Sequence, residues 1–232
     1  DRAAACSFEV LARLEDVDGS IVEPSAFMSA ATRYQLLPML DRAVIVEAFR
    51  LLDAHRDCMR DAGLRFSINL SGPTLCDHGF LEWLLAEMSS RAIDGQWLTF
   101  EVTETAAAAD LAKPQDLIRR LKGRGCRFAL DDFGTGVSSL AYLKALDVDV
   151  IKLDGSYVRD MLDSPRSEAL VKAITALAGS MGIATVAEYV ESPALRDRLR
   201  DIGVQFGQGY AIGRPQPMAA LFQSADAIEP AA

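Results

Sequence analysis

FALDDFGTG, residues 128–136, is the stretch on which the reading of the fold turns. Phe128, Ala129 and Leu130 read as the end of a buried strand. Asp131 and Asp132 follow at once, ahead of a loop that carries Gly134 and Gly136. Adjacent carboxylates repel one another unless something positive sits between them. A chain that places two of them where an apolar strand stops is preparing a site for positive charge.

Working outward, strand-like and helix-like segments alternate. Arg65 to Leu70, Trp97 to Val102, Cys126 to Leu130, Val148 to Leu153, Ile183 to Ala187 and Val204 to Phe206 read as strands. Gly79 to Arg91, Pro114 to Lys122, Ser138 to Leu146, Ser164 to Met181 and Ser192 to Ile202 read as the helices between them. Ser164 with Pro165 has the chemistry of a helix start. Nearer the amino end, Ser25 to Leu37 has helical spacing and Leu40 to Ala62 reads as one long helix stopped by Gly63. Ser7 to Leu14 reads as a strand, and Asp18-Gly19 is a hairpin turn signal that returns Ile21-Val22.

Such βα alternation predicts a parallel sheet, closed into a barrel or doubly wound. No GxGxxG and no Walker-type loop follows a strand, which disfavours the doubly wound form. No linker or repeat divides the chain, so 1–232 is read as one domain cut from a longer protein, with a core of about 7–222 and a tail at 223–232. The length is ordinary for a single α/β barrel. Half of the 232 residues are hydrophobic, which suffices for a sizeable core. Lys and Arg number 24 against 33 Asp and Glu, a net charge of −9 that argues against duplex nucleic acid as a partner. Cys6, Cys58, Cys76 and Cys126 have no ligand spacing and read as free thiols of a reducing compartment. The apolar run from Ala169 to Val190 is broken by Lys172 and Glu188, so no membrane span is expected.

The strand ends share a chemistry. They carry Asn69, then Glu101 and Glu104, then Asp131 and Asp132, then Lys152, then Glu188 and Glu191, then Gln208. Each alone would be an ordinary loop residue or helix cap. In a parallel barrel all these ends converge on the face where active sites sit. An all-oxygen set of carboxylates and a carboxamide suits Mg²⁺ or Mn²⁺ rather than zinc. Such ions hold phosphate-bearing substrates, and two close ions can clamp an in-line displacement at phosphorus. His55 and His78 are expected on the surface, away from this face.

Seven motifs in order, FEVLAR, INLS, FEVTE, LDDFGTGVSSL, IKLDGSYV, VAEYVE and GQGYAIGRP, run from about Phe8 to Pro217. Through them the chain resembles the EAL domain, the cyclic di-GMP phosphodiesterase family. The resemblance implies a TIM-like (βα)8 barrel with an antiparallel first strand. It implies hydrolysis of cyclic di-GMP to linear 5'-pGpG with two Mg²⁺ or Mn²⁺ ions. Carried over by position, Glu9, Asn69, Glu101 and Asp131 bind one ion, and Asp131, Asp132 and Glu188 serve the second. Lys152 orients the attacking water and offsets phosphoryl charge, and Arg13 grips a phosphate oxygen. Glu104 anchors the loop from Asp131 to Leu140, Glu191 supports the site, and Gln208 positions nucleotide or water. The resemblance further implies a cytoplasmic domain of bacterial signalling and biofilm control. It implies a homodimer, fused to sensory or cyclase-type domains and making no membrane contact itself.

Several positions depart from the family pattern. Val10 stands for alanine in the naming motif, and Val137 for tyrosine in GTGYSSL. Tyr189 stands for glycine in AEGVE, and Gly155 for arginine in KIDRSFV. Thr32 and Gln35 replace Glu and Gly in AERxGL. None removes a proposed ligand, but they keep open a second reading, a catalytically inactive cyclic di-GMP receptor. A third, in which Lys152 forms a Schiff base, is opposed by the surrounding carboxylates, which hold an amine protonated.

Overall fold

The structure is a computed structural model that describes residues 7–104, 112–134 and 139–223. The chain divides into two compact units. One comprises Asp1–Phe100, Arg120–Cys126 and Gln216–Ala232, the other Glu101–Arg119 and Arg127–Pro215.

In the first unit, β1 (Ser7–Val10) pairs in parallel with β4 (Arg65–Leu70), Glu9 lying opposite Ser67. Strand β1 therefore does not run antiparallel, as the family resemblance implied. A parallel return needs a long crossover, and the chain supplies one in α1 (Pro24–Arg33), α2 (Leu37–Ala54) and α3 (Arg56–Ala62). Among the described residues, antiparallel pairing is confined to the hairpin of β2 (Leu14–Glu15) and β3 (Ile21–Val22), turned by Gly19 at φ 83°. The strand expected over Ser7 to Leu14 is thus interrupted. Phe66, Ile68 and Leu70 are buried on β4 and Leu64 just before it, with Ile45, Phe49, Leu52 and Met59 also in the core of this unit.

The helix expected over Leu40 to Ala62 breaks at His55, and His55 is not a surface residue. Its ring stacks on Phe222 at 4.2 Å, and Phe222 in turn lies 5.8 Å from Phe66. An imidazole ring presents a flat face that suits such a stack. His78 is exposed, as expected. After β4, α4 (Gly72–Cys76) and α5 (Phe80–Ser90) follow. The start of α4 hangs on Asp41 of α2, a residue the sequence did not single out. Its Oδ2 accepts from the Ser71 backbone N–H at 2.8 Å and from Thr74 Oγ1 at 2.6 Å.

Strand β5 (Leu98–Thr103) is shared by chain continuity, its first half in the first unit and its second half in the other. From there α6 (Ala112–Lys122), β6 (Arg127–Phe133), α7 (Ser139–Ala145) and β7 (Val150–Leu153) follow. Next come α8 (Gly155–Val158), α9 (Pro165–Ser180), β8 (Ala184–Ala187), α10 (Pro193–Ile202) and β9 (Phe206–Gly207). The pairs β6–β7, β7–β8 and β8–β9 are all parallel. Ser164 and Ser192 cap α9 and α10 by accepting from the backbone N–H groups of Ser167 and Leu195. The one-turn helix α8, unforeseen in sequence, is capped by Asp154, which accepts from the Ser156 N–H at 2.9 Å. Strand β6 also differs from expectation. It runs through Asp131 and Asp132 to Phe133, and its pairing with β7 slips between Leu130 and Phe133.

No described helix is long and apolar enough to cross a membrane. The expected tail falls almost wholly outside the described residues, as does Cys6. Cys126 is a buried free thiol.

Two outcomes follow from this packing. Asp41→Ala leaves a buried hydroxyl and a backbone N–H without their acceptor, so urea denaturation should show a loss of about 2 kcal/mol; an unchanged midpoint would remove Asp41 from this role. Burial, with Asp94's charge second, pushes the Cys126 thiol up to about 12. Ellman's reagent at pH 8 should leave Cys126 unmodified in the folded protein and label it after unfolding.

Candidate active site

The residues of β7 alternate in direction, and all but the first are buried. One of them, Lys152, is charged and only 2% exposed. A buried ammonium must find partners for its donors. Its Nζ lies 2.6 Å from Glu101 Oε2, 2.8 Å from Glu188 Oε1 and 3.0 Å from Asp131 Oδ1. Lysine has three N–H donors, and here three carboxylates receive them. Glu101 comes from β5, Asp131 from β6 and Glu188 from the residue after β8, so four successive strands deliver side chains to one point.

Asp132 joins them. Carboxylate oxygens of Asp131, Asp132 and Glu188 all lie within 4.8 Å of one another. Neighbours in a regular strand point to opposite faces, so a straight β6 would send one of the two aspartates away. The slip in pairing and a left-handed backbone at Asp132, φ 53°, turn its side chain back. The turn is made at Asp132 itself, inside the strand. The placement has an electrostatic cost: burial, then the charges of Asp131 and Asp154, raises the Asp132 carboxyl above its ordinary range. Lys152 is one cation among four carboxylates, Glu101, Asp131, Asp132 and Glu188. The donors are all oxygen and carry excess negative charge, a set that fits a hard divalent cation such as Mg²⁺ or Mn²⁺.

The loop after β6 is held at its first glycine. Glu104 is buried, and its Oε2 accepts from the Gly134 N–H at 3.3 Å. On the other side of the same residue, the Tyr157 hydroxyl donates to the Gly134 carbonyl. Tyr157 and Asp154 both lie in IKLDGSYV, from which sequence reasoning took only Lys152. The signal available was the Asp-Gly-Ser start of a helix directly after the strand.

The other expected residues are arranged as follows. In the first unit, Asn69 Nδ2 donates to Glu9 Oε1 at 2.7 Å, which links β1 and β4 side chain to side chain. Arg13 is exposed, and its Nη1 donates to the carbonyl of its neighbour Ala12. In the second unit, Gln208 is half-buried. Its N–H donates to Ala187 O at 2.8 Å and its carbonyl accepts from the Val190 N–H at 2.9 Å, which ties β9 to the end of β8. Glu191 is exposed just before α10 and does not join the carboxylate group.

A family model for the EAL domain matches residues 2–215. The cyclic di-GMP phosphodiesterase PdeB of Shewanella oneidensis is 41% identical over 211 residues, 91% of this chain and 24% of that protein. The cyclic di-GMP phosphodiesterase PdeF of Escherichia coli is 33% identical over 222 residues, 96% of this chain and 29% of that protein. The chain thus spans about a quarter of the length of these curated relatives. Among solved structures, the PaMucR phosphodiesterase in its c-di-GMP complex superposes with a TM-score of 0.84 at 29% identity, covering 92% of this chain and 86% of that one. The FimX EAL domain from Pseudomonas aeruginosa bound to c-di-GMP gives 0.84 at 28% identity, covering 93% and 86%. The α/β, TIM-like fold class expected from the sequence is the one these structures carry. With its motifs in order, its parallel strands and its family match over nearly the whole length, the chain belongs to the EAL domain family.

Proposed function

We propose that this domain hydrolyses one phosphodiester of cyclic di-GMP to linear 5'-pGpG and so lowers the level of that second messenger. The observation that carries the reading is the intact carboxylate group of Asp131, Asp132 and Glu188 beside the buried Lys152. Two Mg²⁺ or Mn²⁺ ions, when bound, supply Lewis-acid compensation of phosphate charge and acidify a water. Asp131, Asp132 and Glu188 would hold one of them. Glu101 and Asp131, by their places in the family motifs, would hold the other.

The chain's own groups divide the remaining work. Lys152 keeps Glu101, Asp131 and Glu188 at fixed separations. It then orients the attacking water and offsets charge that builds on the phosphoryl oxygens. Asp132, by its place beside Asp131 and Glu188, accepts the proton of that water. Arg13, exposed and long, grips a phosphate oxygen. Gln208 positions nucleotide, Glu191 supports the loop after β8, and Glu104 keeps the entry to the β6 loop in place. By the same family reading the domain works in the cytoplasm as a homodimer, joined to sensory or cyclase-type domains, in signalling that governs biofilm formation.

Chromatography of cyclic di-GMP incubated with the protein and Mg²⁺ or Mn²⁺ should show pGpG, and EDTA should abolish it. Asp131→Ala and Lys152→Ala should each cut turnover by at least ~100-fold. Cyclic di-GMP bound at micromolar affinity without hydrolysis would instead establish the silent receptor. Glu104→Ala should lower turnover by about tenfold by releasing Gly134, and wild-type rates in that variant would remove it from the mechanism.

A further inference from the structure

Two residues of the second unit hold a left-handed backbone without being glycine, one near the end of β6 and one just after β8, the two strands that flank β7: Asp132 at φ 53° and Tyr189 at φ 54°. One is a carboxylate of the acidic group, and the other directly follows Glu188. Such conformations persist only where the surroundings over-determine them. The surroundings in both cases include the one-turn helix α8.

At the β6 end, a Cβ on Gly134 would lie 2.7 Å from Tyr157 Cε2, so the tyrosine ring fills the space a side chain would need. The same tyrosine's hydroxyl donates to the Gly134 carbonyl at 2.5 Å. At the β8 end the relation is mirrored. A Cβ on Gly155, the first residue of α8, would lie 2.1 Å from Tyr189 Cδ2. The Tyr189 ring is also covered by the Arg159 guanidinium, 3.7 Å from its centroid. The Glu188 N–H donates to the carbonyl of Leu153, the last residue of β7. Residue 155 is arginine and residue 189 glycine in the family pattern. In this chain the bulk has moved from 155 to 189, and the two departures are one exchange.

We propose that α8 sets the geometry of both turns through these two reciprocal glycine–tyrosine contacts. Tyr157 and Tyr189 are then positioning residues for the carboxylates of Asp132 and Glu188, and residue 155 is glycine because residue 189 is tyrosine. The inference deepens the phosphodiesterase reading and rests on it for the meaning of the carboxylate group. Neither tyrosine touches the reacting atoms. Each acts through the backbone that aims a carboxylate.

The test is Mn²⁺ binding by calorimetry, without nucleotide, alongside thermal unfolding and turnover of cyclic di-GMP. The proteins compared are the wild type, Tyr157→Phe, Gly155→Ala and the double variant Gly155→Ala/Tyr189→Gly. Tyr157→Phe keeps the ring and loses only the hydroxyl. It should weaken Mn²⁺ binding by about tenfold and lower kcat more than it changes KM. Gly155→Ala should do the same, and the double variant should recover to within about threefold of wild type. A lowered Tm with unchanged Mn²⁺ affinity in both single variants would reduce the contacts to plain packing and overturn the proposal. So would a double variant no better than Gly155→Ala. A wild type that binds Mn²⁺ and makes no pGpG would sink the phosphodiesterase reading alone, with the comparison of affinities still standing.

Discussion

A single buried ammonium organises the second unit. Lys152 lies in the middle of a strand where three apolar neighbours exclude water, and Glu101, Asp131 and Glu188 surround it at 2.6–3.0 Å. Neither the lysine nor the acids could be buried alone, because an isolated charge in so dry a place is prohibitively costly. Together they are compatible with the interior, and their mutual attraction fixes β5, β6, β7 and β8 at the height where these side chains meet. The arrangement still leaves more negative than positive charge, and an oxygen-donor group with such an excess fits a hard cation.

The strand-end geometry follows from that demand. A regular β6 could offer one aspartate to the group, and the bulge at Asp132 offers two. The bulge in turn needs support. Glu104 and the Tyr157 hydroxyl grip the N–H and carbonyl of Gly134, two residues on. Repulsion among the carboxylates works against this conformation, and hydrogen bonds to the backbone work for it. The first unit shows the same logic with less charge. There Asp41 is buried because Ser71 and Thr74 supply donors, and it fixes the turn that follows Asn69.

Much of the fold was legible because its cause is local. Apolar runs of strand length between helical periodicities require a parallel sheet whatever the details, and Ser164 and Ser192 announce their helices by cap chemistry alone. The direction of β1 was not legible from the resemblance, because pairing direction is set by what the crossover between β1 and β4 permits. His55 reads as a surface residue by composition and is half-buried by a stack on Phe222, 167 positions away in the chain. No local pattern encodes a partner at that distance.

The sequence by itself determined the chemistry of the site: which strand ends carry carboxylates, that oxygen donors predominate, and that one lysine stands among them. Those properties belong to residue identity and spacing and survive any arrangement of the sheet. Only the tertiary structure decided which of these groups meet and how. The convergence on Lys152 needs four strands in order, and the approach of Asp132 needs a left-handed residue inside a strand. The pairing of Gly155 with Tyr189 needs the start of a helix and the turn after a strand to compete for one space. The physical reason is that a side chain's direction is set by backbone angles and neighbours, and neighbours distant in sequence are known only once the chain has folded.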